Sequence, residues 1–263
     1  TIGETDGGAN AWKAEEAFEG HGLGSIRRAH GIRTMNLTRA ERETVEVPVG
    51  RWKKVRVELP KILLRETDVF ITIPVPKIHC MTKVSLGLKN QWGCIPYSEK
   101  RFTFHPHFDE MIWRLNRLFN PKIIVGDCTW MLTGSGPMFG EQIKTDMITV
   151  SNDIGSFELG MLHLMGLESW KISHIRAAKR NGMVPASMDE IEFNADWKRY
   201  RSDRFFLKRT LQNYIALAGF KSRFITWFGY ESFLAQPLHD ILYAIKGGDP
   251  LKKAVRERHG LQG

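Results

Sequence analysis

Four lysines (Lys77, Lys83, Lys89 and Lys100) and three histidines (His79, His105 and His107) fall between residues 77 and 107, the densest stretch of the chain for lysine and histidine together. Ammonium groups that converge on one cleft bind a carboxylate or a phosphate, and imidazole carries protons near neutral pH. If the segment is extended, Lys77 and His79 point to the same side. Asp127 follows Ile123-Ile124-Val125-Gly126, so an acid is expected at the end of a buried strand, where α/β sheets gather their ligand groups. There it could orient a histidine, hold a metal or simply cap the next turn. The loop from Thr133 to Gly140 supplies Gly134, Gly136 and Gly140, which let backbone come close to an anion. Pro137 removes an amide donor and the spacing departs from GxGxxG, so this loop does not read as a dinucleotide fingerprint.

The candidate set for proton transfer is His79, His105 and Asp127. The candidate anion-binding set is Lys77, Lys89, Asn90 and Lys100 with Gly134, Gly136 and Gly140. His79, His105 and Asp127 are also the leading metal-ligand candidates; Cys80, Cys94 and His107 widen the donor set, but the spacing matches no standard metal site. Any one of these lysines is more often a solvated surface group, so the clustering carries the reading. There is no GxSxG elbow, HExxH pair, Walker loop or four-cysteine cluster, which removes the strongest support for the familiar hydrolase, metalloprotease, nucleotidase and iron–sulfur classes.

Elements must position these groups. Ala11 to Phe18 and Ser25 to His30 have helical spacing, and Thr44 to Val49 with Lys53 to Leu59 alternate apolar and polar residues about Gly50 as a hairpin would. Asp68 to Pro74 reads as a buried strand, and Pro74 and Pro76 are expected to take the chain out of the sheet. Thr82 is expected to cap a helix through Leu88 that ends at Asn90 to Gly93. Phe108 to Phe119 has a clear apolar face and stops at Asn120-Pro121. Lys122 to Gly126 and Met147 to Val150 follow as strands, and Asp153 caps a helix with Ile154, Phe157, Met161, Leu162 and Met165 on one face. This rhythm predicts an α/β fold with a mostly parallel central sheet, flanking helices and a helical C-terminal extension. The domain reading is an α/β domain over 1–195 and a basic, aromatic-rich extension over 196–263, with helices over Phe205 to Ala218 and Phe224 to Ile245.

Composition narrows the partners. A chain of 263 residues, 42% hydrophobic, can bury a sizeable core. Its formal net charge of +9 suits an anionic partner. The basic clusters at Arg51 to Arg56 and Lys252 to Arg258 are short and interrupted, which argues against nucleic acid. The three cysteines form no CxxC pair, so a reducing, cytoplasmic setting is expected. No apolar run is long enough to span a bilayer; the helices over 205–245 either pack on the domain or lie against a membrane or partner surface. The opening residues Thr1 to Gly8 resemble a strand entering a glycine loop, as though an element and any leader preceded them.

Pro76-Lys77-Ile78-His79, Gly87-Leu88-Lys89-Asn90-Gln91-Trp92-Gly93, Lys100 and His105 resemble, in that order, the central motif of the domain of unknown function 362 family. Asp127 with Gly134-Ser135-Gly136-Pro137 and Gly140 resembles the family's next block, and Ser151-Asn152-Asp153 with the helix to Gly166 its third. Ile154 stands where the family pattern has proline, and Glu158 where it has a second acid, usually aspartate. The resemblance covers residues 1 to 183. It implies that this chain is a fragment lacking an N-terminal strand-and-helix unit. Some members carry ferredoxin-like modules, but three cysteines cannot supply a four-cysteine cluster, so a redox role would need an iron–sulfur partner. The leading expectation is an enzyme acting on a small anionic substrate through lysine binding and histidine acid–base chemistry. A metal-dependent redox component and a non-catalytic binding or membrane-surface module are the alternatives, and the sequence names no cofactor.

Overall fold

A computed structural model describes residues 1–7, 13–137, 140–230, 232–234, 237 and 241. In chain order it contains β1 (Ile2–Glu4), α1 (Ala14–Gly20), α2 (Leu23–His30), β2 (Thr34–Asn36), β3 (Arg42–Pro48), β4 (Lys54–Pro60), β5 (Ile71–Thr72), β6 (Lys77–His79) and β7 (Lys83–Ser85). There follow α3 (Gly87–Asn90), α4 (Ser98–Thr103), α5 (Phe108–Phe119), β8 (Ile123–Thr133), β9 (Glu141–Ser151), α6 (Ile154–Leu164), α7 (Ser173–Arg180), α8 (Leu211–Lys221) and α9 (Arg223–Tyr230). The chain divides into two compact units: residues 1–41, 94–106 and 218–263 form one, and residues 42–93 and 107–217 the other.

In the first unit β1 pairs in parallel with β2, and Asp6 ties the strand to α1 by accepting the Ala14 amide at 3.0 Å and the Asn36 amide at 2.9 Å. Lys13 adds an ion pair at 3.2 Å, and these hydrogen bonds hold the Asp6 carboxyl below its usual range despite its burial.

The second unit holds the central sheet. The expected hairpin forms as β3 against β4, with Val47, Val57 and Leu59 inward, because only the alternate apolar positions meet the core. β8 is the spine of a five-stranded sheet: β5 and β6 pair with it in parallel, β9 runs antiparallel along it, and β7 adds to β6. The three strands expected from their apolar runs therefore lie together, in an α/β fold with a parallel-rich sheet and flanking helices. α5 packs through Met111, Ile112, Leu115 and Phe119, and ends where Asn120 turns left-handed at φ 47°, a conformation asparagine tolerates at a helix end. The Asp153 carboxylate caps α6 by accepting the Ser156 amide at 2.6 Å, the ordinary role of an acid at a helix start.

Local structure departs from the sequence expectation at four points. Pro74 and Pro76 do not take the chain out of the sheet. Missing two amide donors only interrupts the ladder: the Pro74 carbonyl still accepts from the Asp127 amide at 3.0 Å, and the chain rejoins β8 as β6. The segment after Thr82 is a strand before it is a helix, since Lys83 adopts φ 70° and closes a β6–β7 hairpin that leaves only Gly87–Asn90 helical; a positive φ is what so tight a reversal demands. Asp127 does not end its strand, for β8 continues to Thr133. Phe205 is not helical; Leu207 bridges Gly134, and the helix starts at Leu211. Most of the expected helix beyond Tyr230 lies outside the described residues.

The strand around Ile71 is also buried on one side only. Ile73 is 63% exposed, Val150 69% and Ile148 68%, so the sheet keeps an open apolar side formed by β5, β8 and β9.

Candidate functional site

The motif from Gly87 to Gly93 lies beside α6, and its first glycine is fixed by a packing demand. A Cβ at Gly87 would lie 2.7 Å from the Phe157 ring and 2.9 Å from Ile154 Cδ1. Gly126 in β8 meets the same ring, at 2.8 Å, and Thr149 Oγ1 at 2.4 Å. Phe157 thus occupies the space two side chains would need. The next residue of α6, fully buried Glu158, accepts the Leu88 amide at 2.8 Å. Burial pushes its carboxyl up to about 8, although the Leu88 and Gly87 amides pull the other way, because a charged carboxylate loses more from leaving water than two amide donors return. Asn116 of α5 donates to the Leu88 carbonyl at 2.8 Å and to the Ile112 carbonyl at 2.9 Å, so neighbouring elements hold Leu88 by both its amide and its carbonyl. Asn90 is spent on the sheet, donating to Thr72 Oγ1 at 2.8 Å.

Further buried polar groups surround this segment. Among the described residues, Gln91 and His174 find no hydrogen-bond partner for any side-chain nitrogen or oxygen. His174 lies edge-on to Phe108, and burial, with the charge of Lys89 in second place, pushes its imidazole down to about 3. It is neutral at any ordinary pH.

The end of β6 has a different character. Lys77 is paired in register with Ser85 on one side and Leu132 on the other. The residue as a whole is half-buried, and its ammonium is desolvated by the surrounding protein. That ammonium has no hydrogen bond or ion pair among the described residues, and loss of water lowers its pKa with no acid acting in the other direction, the signature of desolvation alone. His79, on the same side of the strand, accepts the Met81 amide at 3.2 Å and the Thr82 amide at 3.4 Å through Nδ1. The proton of a neutral ring therefore sits on Nε2. Arg209 donates to the Cys80 carbonyl at 2.7 Å, and the positive charges of Arg209 and Lys89 both act on Cys80. Lys89 and Arg209 therefore bring positive charge to Cys80, just past the end of β6.

The glycine loop serves this strand directly. The Gly136 carbonyl accepts from the Cys80 amide at 2.8 Å, and a Cβ at Gly136 would lie 2.0 Å from the Ile78 carbonyl oxygen. A Cβ at Gly140 would lie 2.2 Å from the Thr133 carbonyl oxygen. The Gly134 amide donates to the Phe206 carbonyl at 2.9 Å, so this donor is already used within the chain. Close backbone approach is what the glycines provide here.

Lys77, His79, Lys89, Asn90, Asp127 and the described loop glycines all belong to the second unit. Asp127 stands on the open side of the sheet opposite Ile148 and accepts the Thr129 amide at 3.0 Å, whereas its neighbour Cys128 turns inward to Thr149 and Met161. Lys100 and His105 belong to the first unit; Lys100 is exposed on α4, and His105 stacks on Phe220 with ring centroids 4.2 Å apart. Burial raises all three thiols, Cys94 to about 12 and Cys128 to about 11, so none is poised as a thiolate. Among the described residues no group of three or more His, Cys, Asp or Glu side chains is placed to hold a metal ion.

Sequence reasoning missed Arg209, which lies 129 residues from Cys80 and is brought back by the stretch running along Gly134. It also missed the roles of Asn116, Gln91 and His174. The signal for Glu158 was present: an acid inside a helix face otherwise made of Ile154, Phe157, Met161 and Leu162 must be buried and needs a donor.

Comparison with known proteins settles the family. The model of the family described as "Domain of unknown function (DUF362)" matches residues 1–159. The chain belongs to that family. It is also similar to the thylakoid-associated protein sll1697 of Synechocystis sp. (strain ATCC 27184 / PCC 6803 / Kazusa), with 24% identity over 131 residues that cover 47% of this chain and 40% of that protein. The match thus spans less than half the length of this relative. No solved structure matches the chain. The Gly87 to Gly93 segment and the β6 strand both fall inside the family match, while Arg209 lies outside it.

Proposed function

We propose that this DUF362 protein binds a small anion, a carboxylate or a phosphate, beside β6 and acts on it as an enzyme, with Lys77 as the principal contact. One observation carries the reading: the Lys77 ammonium is drawn out of water without any counter-charge. An ammonium in that position has lost hydration that the negative charge of a ligand would replace. Lys89 and Arg209 bring positive charge to Cys80, three residues along the chain, and no carboxylate among the described residues offsets the lowering of the Lys77 pKa. His79, two residues along the strand and held through Nδ1, presents Nε2 as the atom that would exchange a proton with the bound anion.

Calorimetric titration of the full chain with inorganic phosphate, and separately with oxalate, tests the proposal. Binding should raise the melting temperature by mass action. It should weaken as pH rises through the lowered pKa of Lys77, because the ammonium is then lost. Lys77→Met should abolish the heat while leaving the fold intact. Equal binding by the wild type and by Lys77→Met would exclude this site.

A further inference from the structure

Within the first unit, α9 has its polarity reversed. Thr226 of this helix is buried, 4% exposed, and its hydroxyl donates to the Gly219 carbonyl at 2.9 Å and the Ser222 carbonyl at 2.7 Å. Three large apolar side chains face outward, Phe224 70% exposed, Trp227 51% and Ile225 48%, while Phe228 is half-buried. Phe224 lies 6.3 Å from both Trp227 and Phe228, at the i+3 and i+4 spacings, so these rings form one continuous ridge. The turn that closes the helix, fastened by the Ser232 amide to the Trp227 carbonyl at 3.0 Å, then projects Phe233, 89% exposed. A helix that turns threonine inward and aromatics outward is not oriented by its own core.

Charge says what the ridge faces. Lys221 and Arg223, immediately before it, are exposed and form no hydrogen bond or ion pair among the described residues. Exposed Lys100 sits on α4, which packs against α9. α9 carries no acid in its first turn. Protruding aromatic rings bordered by unpaired cations match the boundary of an anionic bilayer, where rings enter the acyl region and ammonium and guanidinium groups stay with the headgroup phosphates. No helix among the described residues is long and apolar enough to cross a membrane, so this contact lies in the interface plane. We propose that α9 and the Phe233 turn dock this chain on a membrane surface rich in anionic lipid. The proposal is independent of the anion site in the second unit.

Flotation of the full chain with vesicles tests it, using phosphatidylcholine alone or with phosphatidylglycerol added. The expected result is binding to the anionic vesicles only, weakened by salt. Phe224→Ser with Trp227→Ser should lower the partition coefficient at least about tenfold, and Lys221→Glu with Arg223→Glu should remove the preference for phosphatidylglycerol. Brominated lipid should quench a fluorescence component that Trp227→Phe lacks, a readout that does not depend on the double variants folding. Failure of the wild type to float, or equal flotation by wild type and Phe224→Ser/Trp227→Ser, would overturn the proposal. So would concentration-dependent self-association that the same double substitution abolishes while vesicles remain unbound, because the ridge would then be a protein contact.

Discussion

The two halves of the family motif that meet in the second unit are built in opposite ways. Around Gly87 to Gly93 the backbone's demands are met from within: Phe157 fills the glycine spaces, Glu158 and Asn116 hold Leu88, and Asn90 is bonded to Thr72. Along β6 the balance is left open, with Lys77 lacking a counter-charge and Arg209 and Lys89 bringing positive charge to Cys80 just beyond the strand. The contrast separates residues that make the site from residues that would work in it. Lys77 and Glu158 both lie inside the family match and yet have unrelated duties.

The strongest test of that division is steric. Gly87→Val should cost about 3 kcal/mol or more, because the new side chain must displace the Phe157 ring, and any loss of anion binding should follow the loss of native circular dichroism. A Gly87→Val protein that keeps its melting temperature would break the comparison.

Titration comes next in size. In the folded chain Glu158 has a carboxyl pKa raised to about 8 from 4.5, so the folded state holds a proton that the unfolded state releases, and stability falls as pH rises between those values. His174 has the opposite sign: its pKa falls to about 3 from 6.5, the unfolded state takes up the proton, and stability falls as pH drops through that range. Chemical denaturation across pH should show Glu158→Gln flattening the alkaline side by roughly a few kcal/mol, with the acid side unchanged. His174→Phe should flatten only the acid side. If both variants reproduce the wild-type profile, the buried polar shell is not dry.

Lys77→Met sharpens the comparison from the open end. Losing a desolvated, unpaired ammonium should leave the melting temperature unchanged or higher, while affinity for phosphate falls by at least tenfold, about 1.4 kcal/mol. A lower melting temperature measured without any anion present would mean that Lys77 serves the fold. The smallest effect belongs to Asn90→Ala, expected to cost about 1 kcal/mol and to be no worse when combined with Thr72→Val, since both delete one hydrogen bond.

Periodic elements were legible in the sequence. The span of α5, the cap at Asp153, the β3–β4 hairpin and membership of the central sheet for β5, β8 and β9 all follow from apolar spacing and end signals that act within a few residues. Where long-range pairing overrode local preference, the reading failed: Thr82 to Ser85 was expected to open a helix, yet Val84 pairs with Ile78 across a tight hairpin. Pro74 and Pro76 signal a break, which is real, but only β8 on the far side shows that the chain resumes its ladder. For the candidate site, the density of lysine and histidine drew attention to β6 and α3. It could not show that Lys100 and His105 fold into the other unit, nor that Arg209 returns from the far end of the chain.

Phe157 bears on how the family's alignments should be interpreted. Wherever a member keeps an aromatic ring at this point of α6, the positions equivalent to Gly87 and Gly126 are forced to remain glycine whatever the protein binds, because one ring excludes a side chain at each. Invariance there would record the volume of a phenyl group, and a search for ligand contacts guided by conserved glycines would be led to the wrong side of the strand. Members with a smaller residue in place of Phe157 should be the ones in which those glycines drift to alanine or serine.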